Sequence, residues 1–434
     1  MPLLTVLYLF GWTLLSLAGV MLIPVVVALR LDGIAAAQTF AVPAVLLCIL
    51  SSLLIMAFRG HNELQRRRQN LLLLVCAWLL IPAAAALPLY LAGFPGNFLH
   101  AYFEAVSGFT TTGATIFDDL GQLPKSIILW RAMLQWLGGL TTLLALLALL
   151  GSLSGTDLMD RQLRLIGRPA QDGAENLFEV MQSVAPLYLA LTVVCFLLLV
   201  VFGTPSFEAL CLALSAISTG GFAPRSQPLA AYVPPAAQLV LALFMILGAV
   251  SFVWVRAIFQ MRWPIIRETR EPFWIIWLTG AAALVAIVVL SAVEPAYGPG
   301  GAFRLVASGI ASAASLISTT GFVITDPARF PLPVILLATV CIVGGGRFST
   351  AGGLKVFRVF LMLRQVSREL RQLIYPHGVR AARFGDEARE SELLKATWIT
   401  FAAFIITLGT IMALVAYSGV PVAGALLAAA GALS

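Results

Sequence analysis

Apolar runs of two lengths alternate along this chain. Long runs cover residues 4–29, 39–58, 71–91, 123–150, 180–202, 237–255, 273–293 and 394–417. Each reaches about the 20 residues that a helix needs to cross the hydrocarbon core of a bilayer. Short runs cover residues 98–109, 207–217 and 303–317. At roughly three to four helical turns they dip into the membrane and return. A stretch of small polar residues follows each short run: Ser107-Gly-Phe-Thr-Thr-Thr-Gly-Ala-Thr115, Ser218-Thr-Gly-Gly-Phe222 and Ser318-Thr-Thr-Gly-Phe322. Irregular backbone at membrane depth survives only where it lines something wet or is buried in protein. Hydrophobic residues make up 60% of the chain and charged residues 11%, against about 25% charged in soluble domains. A soluble enzyme is excluded, and the fold class is an all-α polytopic membrane protein.

Arginines set the topology. They cluster at Arg59, Arg66, Arg67 and Arg68; at Arg161, Arg164 and Arg168; at Arg256, Arg262, Arg267 and Arg270; and at Arg364, Arg368, Arg371, Arg380 and Arg383. Excess arginine marks the cytoplasmic side. The N-terminus is therefore expected in the cytoplasm and all three polar stretches on the outer side. The net charge of +7 speaks to topology and inner-leaflet lipid, with no nucleic-acid partner expected. The outer loops carry Glu104, Asp118, Asp119, Glu294 and Asp326 against Lys125, Arg225, Arg304 and Arg329, a mildly acidic vestibule that concentrates cations. Cys48, Cys76, Cys195, Cys211 and Cys341 lack metal-type spacing and are expected as buried, unpaired thiols. The first run starts almost at Met1 without a basic lead-in, so a cleaved signal peptide is not expected.

The order long, short, polar, long divides the chain. Residues 1–68 form an accessory helix pair, 69–170 a first repeat, 171–270 a second and 271–385 a third. Residues 386–434 begin a fourth, with a long run and then a short one at 420–433. By internal symmetry a fourth polar strand falls at about 433–442, at or beyond Ser434. The second long run of repeat three, from Leu332, is interrupted by Gly344-Gly-Gly-Arg-Phe-Ser-Thr-Ala-Gly-Gly353 and resumes over 354–363. Ser206 suits an N-cap for the second short helix, and Gly138-Gly139 suits close helix packing.

A dehydrated cation needs a cage of oxygens, which backbone carbonyls of an extended strand supply when its side chains are small. Glycine gives the backbone angles, and the short helix aims its negative C-terminal end at the ion path. The candidate lining is Thr111, Thr112 and Gly113; Thr219, Gly220 and Gly221; and Thr319, Thr320 and Gly321. One such motif alone reads as small-residue helix packing; three at the same place in three repeats read as walls of one selectivity filter. No residue near His61, His100 or His377 in the sequence suggests a metal site or catalytic pair, and all three are read as structural. An alternating-access carrier, which also uses broken helices at the midplane, is the rival reading.

SGFTTTGAT, AISTGGFAPRS and LISTTGFVITD, with WRAMLQWLGGL and GRFSTAGGLKVFR, resemble the Trk/Ktr/HKT superfamily of potassium transporters, above all the bacterial Trk membrane subunit. The resemblance implies four helix–pore-helix–helix repeats around one pore and a pseudo-fourfold arrangement. It implies permeation by potassium ions held at the filter residues, and a homodimer in the cell inner membrane. It further implies a cytoplasmic nucleotide-binding regulatory subunit as partner, and no organic cofactor. In that superfamily glycine at the key filter position goes with potassium, and here the three are Gly113, Gly221 and Gly321. The broken helix would be the gate, through Gly345, Gly346, Arg347, Phe348, Ser349, Thr350 and Gly352. The family usually has Gly-Gly-Cys-Ala-Gly-Ser-Thr there, and this chain departs from it at Gly346, Arg347 and Phe348. Arg347 either faces the cavity and repels the next cation, or pairs with a carboxylate or carbonyls to fix the loop. Phe348 is expected to pack.

Overall fold

The computed structural model describes residues 2–60, 67–94, 96–150, 177–293, 301–326, 333–374 and 386–434. Their regular structure is helical, with no strand among them. They divide into two compact units, one from the N-terminus through Phe244 and one from Met245 to Ser434.

The first unit opens with α1 (Pro2–Leu31) and α2 (Ile34–Ala57), packed side by side. They turn at Asp32-Gly33, where both amides donate to the Ala28 carbonyl and Gly33 takes φ 96°. Next come α3 (Arg67–Leu91), the short α4 (Phe98–Phe109) and α5 (Lys125–Leu150). The Asn97 side chain caps α4 by accepting from His100 N. Two more helices, α6 (Leu177–Val201) and the short α7 (Ser206–Ser218), lead to α8 (Pro235–Ala249), whose first part completes the unit. Ser206 does not cap α7: Pro205 holds that position, with no side-chain bond, because its fixed φ of −56° already starts the turn.

Helix α5 is the spine of this unit. Trp130, Leu134, Leu143 and Leu147 are wholly buried on it, and it packs on α1, α3, α4, α6 and α7. Trp130 Nε1 donates to the Ala85 carbonyl at 3.0 Å, and Trp136 Nε1 to Thr192 Oγ1 at 3.0 Å. Gly138 and Gly139 make these approaches possible. A Cβ on Gly138 would lie 1.9 Å from the Phe109 carbonyl oxygen, and one on Gly139 2.6 Å from the Tyr188 hydroxyl. The C-terminal ends of the two short helices, at Phe109 and Ser218, thus lie directly against α5. The accessory pair is fastened to it as well: the Asp32 carboxylate accepts from Lys125 N at 3.1 Å and Ser126 N at 2.7 Å, at the positive end of the α5 dipole.

The second unit holds the end of α8, then α9 (Phe252–Phe259), α10 (Trp263–Glu268), α11 (Glu271–Val293), the short α12 (Gly301–Ile317), α13 (Val334–Val343), α14 (Val356–Ile374), α15 (Asp386–Tyr417) and the short α16 (Val422–Leu433). Ala338, Leu408, Ala429 and Ala430 pack α13, α15 and α16 together. The run expected to span over 237–255 does not do so as one helix. It breaks at Val250-Ser251, and α8 and α9 meet at 110°. Hydropathy cannot register that break, because the residues on both sides of it are apolar. The interrupted run of repeat three is likewise α13 and α14, and α14 runs on to Ile374.

Among the described residues seven helices are long and apolar enough to span, eight if the bent pair counts as one. Their outward faces carry Leu22, Val26, Leu53, Val201 and Leu284, each more than half exposed. Such apolar surface belongs against lipid. The cysteines are unpaired; Cys195 and Cys211 are buried, whereas Cys48 is exposed, against expectation, because it lies on an outward face of α2.

Candidate functional site

Each short helix before a polar stretch ends in the same backbone. Thr111, Thr219 and Thr319 take φ 59°, 54° and 56°, and two residues on Gly113, Gly221 and Gly321 take φ 76°, 82° and 78°. A β-branched residue in the left-handed region is strained, so the surroundings hold it there. The same bonds do so each time. Thr112 N donates to the Ser107 carbonyl at 3.0 Å, Gly220 N to Ser215 at 2.9 Å and Thr320 N to Ser315 at 3.0 Å. Ser107, Ser215 and Ser315 are therefore equivalent positions that the sequence reading missed. The signal was the constant spacing Ser-x-x-x-Thr-x-Gly, obscured by Ser218 and Ser318 standing nearer the glycine. Two of these serines close the strand by donating to a carbonyl seven residues on: Ser107 Oγ to Ala114 at 2.5 Å and Ser315 Oγ to Phe322 at 3.0 Å. In the first and third strands the residue between threonine and glycine carries a hydroxyl bonded to the one two residues before it, Thr112 to Thr110 at 2.8 Å and Thr320 to Ser318 at 2.6 Å.

The second strand differs. Its middle residue is Gly220, and the space is filled from α5: a Cβ there would lie 2.4 Å from Gln135 Cδ. The Gln135 amide donates to the Gly220 carbonyl at 2.5 Å, while its Oε1 accepts from Phe222 N at 3.1 Å and Ser215 Oγ at 2.7 Å. The first two strands abut at this point, because a Cβ on Gly113 would lie 2.4 Å from the Gly220 oxygen. Together with φ 76° this leaves glycine alone at position 113.

One turn earlier on α5, Arg131 secures the far end of the first strand. Its Nε lies 2.7 Å from Glu104 Oε1 and its Nη2 donates to Thr115 Oγ1 at 3.0 Å. Glu104 also accepts from Thr115 Oγ1 at 3.0 Å and Ile116 N at 3.1 Å. The guanidinium lies 4.1 Å from the centre of the Phe222 ring, one residue past the second strand. Glu104, counted with the outer-loop charges of the vestibule, thus does not face it. It is on α4, fully buried, because Arg131 compensates its charge. Glu208, also on a short helix, pairs with Arg225 at 2.5 Å. Asp118 and Asp119 are exposed as expected, while Glu294 and Arg329 lie outside the described residues.

The third strand lies in the second unit, where it meets the interrupted helix: Gly352 N donates to Thr319 Oγ1 at 3.0 Å. The loop between α13 and α14 folds on itself, with Gly345 N donating to the Gly352 carbonyl at 3.3 Å and Val356 N to Gly345 at 3.0 Å. Gly344 sits at φ 67° with its would-be Cβ 2.0 Å from the Gly352 oxygen. The loop also clasps the break between α8 and α9. Gly346 N donates to the Ala249 carbonyl at 2.7 Å, Thr350 N and Oγ1 to Gly248 at 3.3 and 3.0 Å, and Phe252 N returns a bond to Phe348 at 2.9 Å. The carbonyls orphaned at the end of α8 thereby find partners, which is why the run 237–255 breaks there.

Arg347 takes the paired orientation. Its backbone N donates to Glu271 Oε1 at 2.6 Å and its Nε to Oε2 at 3.3 Å. Its guanidinium stacks 3.4 Å above the centre of the Phe357 ring. Phe348 is buried at φ 52°, and Ser349 Oγ donates to the Gly346 carbonyl at 2.5 Å. The described residues hold no cluster of histidine, cysteine or carboxylate suited to a metal. His61 and His377 lie outside the described residues, as do the arginines of the 151–176 segment.

The fold and these strands define a polytopic helical membrane transport protein, not an enzyme. The sequence profile described as TrkH, cation transport protein, matches residues 36–427, and the chain belongs to that family. The "Trk system potassium uptake protein TrkH" of Salmonella typhimurium is 29% identical over 419 residues, covering 94% of this chain and 85% of that protein. The Escherichia coli protein of the same name shows the same identity and coverage. The crystal structure of the potassium transporter TrkH from Vibrio parahaemolyticus superimposes with a TM-score of 0.83 at 26% identity, over 99% of this chain and 89% of that one.

Proposed function

We propose that this chain carries potassium across the cell inner membrane through a pore whose selectivity filter is lined by the carbonyls of Thr111–Gly113, Thr219–Gly221 and Thr319–Gly321. The observation that carries the reading is the recurrence, at the ends of three short helices, of one left-handed threonine and one left-handed glycine held by the same serine carbonyl. Alternating left-handed residues let successive peptide oxygens turn toward one side, as a carbonyl cage requires. The relatives' names, which speak of potassium uptake, support the choice of ion. Around this pore we place the helices as an accessory pair and pseudo-fourfold repeats, with the N-terminus in the cytoplasm. The loop from Gly345 to Gly352 is the gate: it touches the third strand through Thr319 and is anchored by Glu271 and by the end of α8. The partners proposed are a second copy of the chain and a cytoplasmic nucleotide-binding regulatory subunit.

Potassium and sodium influx into proteoliposomes carrying the full chain tests the filter. The parent should favour potassium, and Gly113→Ala should lose at least about tenfold of that preference, since its methyl group would collide with the Gly220 carbonyl at a strained φ. A potassium preference untouched by Gly113→Ala, in protein that is folded and conducting, would sink the filter reading. The carrier reading draws on the two broken helices, α8–α9 and α13–α14. Slow, saturating, coupled flux in the same vesicles would favour it over fast ohmic current.

A further inference from the structure

Gln135 is a buried carboxamide on α5 whose oxygen and NH2 meet the second strand and the end of the short helix before it. Its orientation is fixed by chemistry: the Gly220 carbonyl requires a donor and Phe222 N an acceptor, so NH2 faces the first and Oε1 the second. Ser215, the counterpart of two serines that donate to a strand carbonyl, donates here to Gln135 Oε1 instead. Gly220 is the one middle residue of the three strands without a hydroxyl, and Gln135 occupies the room that its side chain would need. The second strand thus obtains from α5 the support that the other two draw from their own residues. The supported atom is the carbonyl oxygen that bears on Gly113 of the first strand.

We propose that Gln135 is a specificity-determining positioning residue: its amide sets the direction and the remaining acceptor strength of the Gly220 carbonyl, and through it the discrimination between potassium and sodium. This rests on the filter reading above. A carbonyl oxygen has two lone pairs. With one committed to Gln135, the other is aimed, and its donor strength is that of an oxygen already accepting a bond. Freed from the amide, the carbonyl would turn and donate more strongly, which favours the smaller, more tightly hydrated sodium ion.

The test is the potassium-to-sodium influx ratio per folded protein, with pH as the second variable. Gln135→Glu keeps the shape and still accepts from Phe222 N and Ser215. Ionised, it sets an oxygen against the Gly220 carbonyl; protonated, it can donate to it. The ratio is expected about fivefold below the parent at high pH, the worth of one lost hydrogen bond, and to return toward the parent as pH falls through the carboxyl's pKa. A purely structural role would lower yield or thermal stability and leave the ratio at the parent's value at every pH, which would overturn the proposal. If Gln135→Glu does not accumulate folded, Ser215→Ala removes the hydroxyl that steadies Oε1 and is expected to lower the ratio about twofold; an unchanged ratio there overturns the proposal equally. Gly321→Ala, in the third strand, separates the two ideas. If it shifts the ratio and the Gln135 and Ser215 variants do not, the filter stands and Gln135 falls; if none shifts it, the filter reading fails and this inference with it.

Discussion

Glu104 and Arg131 show what one buried charge pair does beside a strand of small residues. Their side chains are 0% and 2% exposed, and between them they hold Thr115 and the Ile116 amide. Neither charge is tolerable there alone. Glu104→Leu leaves the guanidinium buried and uncompensated and is expected to cost about 3–5 kcal/mol. Glu104→Leu combined with Arg131→Met removes both charges and should recover most of that loss, because a buried pair replaced by apolar groups of similar volume is often near neutral. Thermal unfolding of the detergent-solubilised variants reads this directly. A double variant as unstable as the single one would mean that the strand depends on Arg131 by other contacts, such as its stack on Phe222. At this scale the sequence was only partly legible. The three glycines and the threonines before them could be read because their chemistry repeats. The residues that hold them could not: Arg131 and Gln135 come from a helix whose pattern is apolar, and their partners lie 27 and 80 to 87 positions away in the chain. Pairing across such distances leaves no period in the sequence.

Among the elements, the informative pair is the break between α8 and α9 and the interrupted helix α13–α14. Each supplies what the other lacks. The loop offers the amides of Gly346 and Thr350, and the end of α8 offers the carbonyls of Ala249 and Gly248. With the loop as gate, the clasp holds it against the third strand. Thr350→Val keeps the shape and removes the Oγ1 bond to Gly248, worth about 1 kcal/mol. It is expected to raise potassium influx about fivefold with the potassium-to-sodium ratio unchanged. A lower flux, or a changed ratio, would show that the loop does not act as a barrier separate from the filter. Glu271 belongs to the same device, since its carboxylate binds both the amide and the guanidinium of Arg347. The interruption at 344–353 was visible from its five glycines, which no continuous helix would carry. The break at Val250-Ser251 was not, because a lone Gly248 and a lone Ser251 in an otherwise apolar stretch are tolerated within a membrane helix. It exists through hydrogen bonds to a loop about a hundred residues later.

On the scale of the whole molecule the governing quantity is the placement of charge. Among the described residues Arg59 follows α2, Arg256 and Arg267 lie in α9 and α10 with Arg262 between them, and Arg364, Arg368 and Arg371 lie along α14. The hydroxyl–glycine strands belong to the opposite ends of the flanking helices. If arginine marks the cytoplasmic face, then Arg59 and Asp118, both exposed and both in the first unit, must lie on different sides of the membrane. Single cysteines placed at these two positions, in a chain whose five native cysteines have been replaced, decide the matter with a membrane-impermeant maleimide. Asp118→Cys should label in intact cells, and Arg59→Cys only after permeabilisation. The reverse pattern would turn the molecule over, put the gate loop outside the filter along the ion path, and remove the argument for a cytoplasmic partner acting on it. The expected pattern would make the arginine-bearing face the surface that a regulatory subunit has to meet.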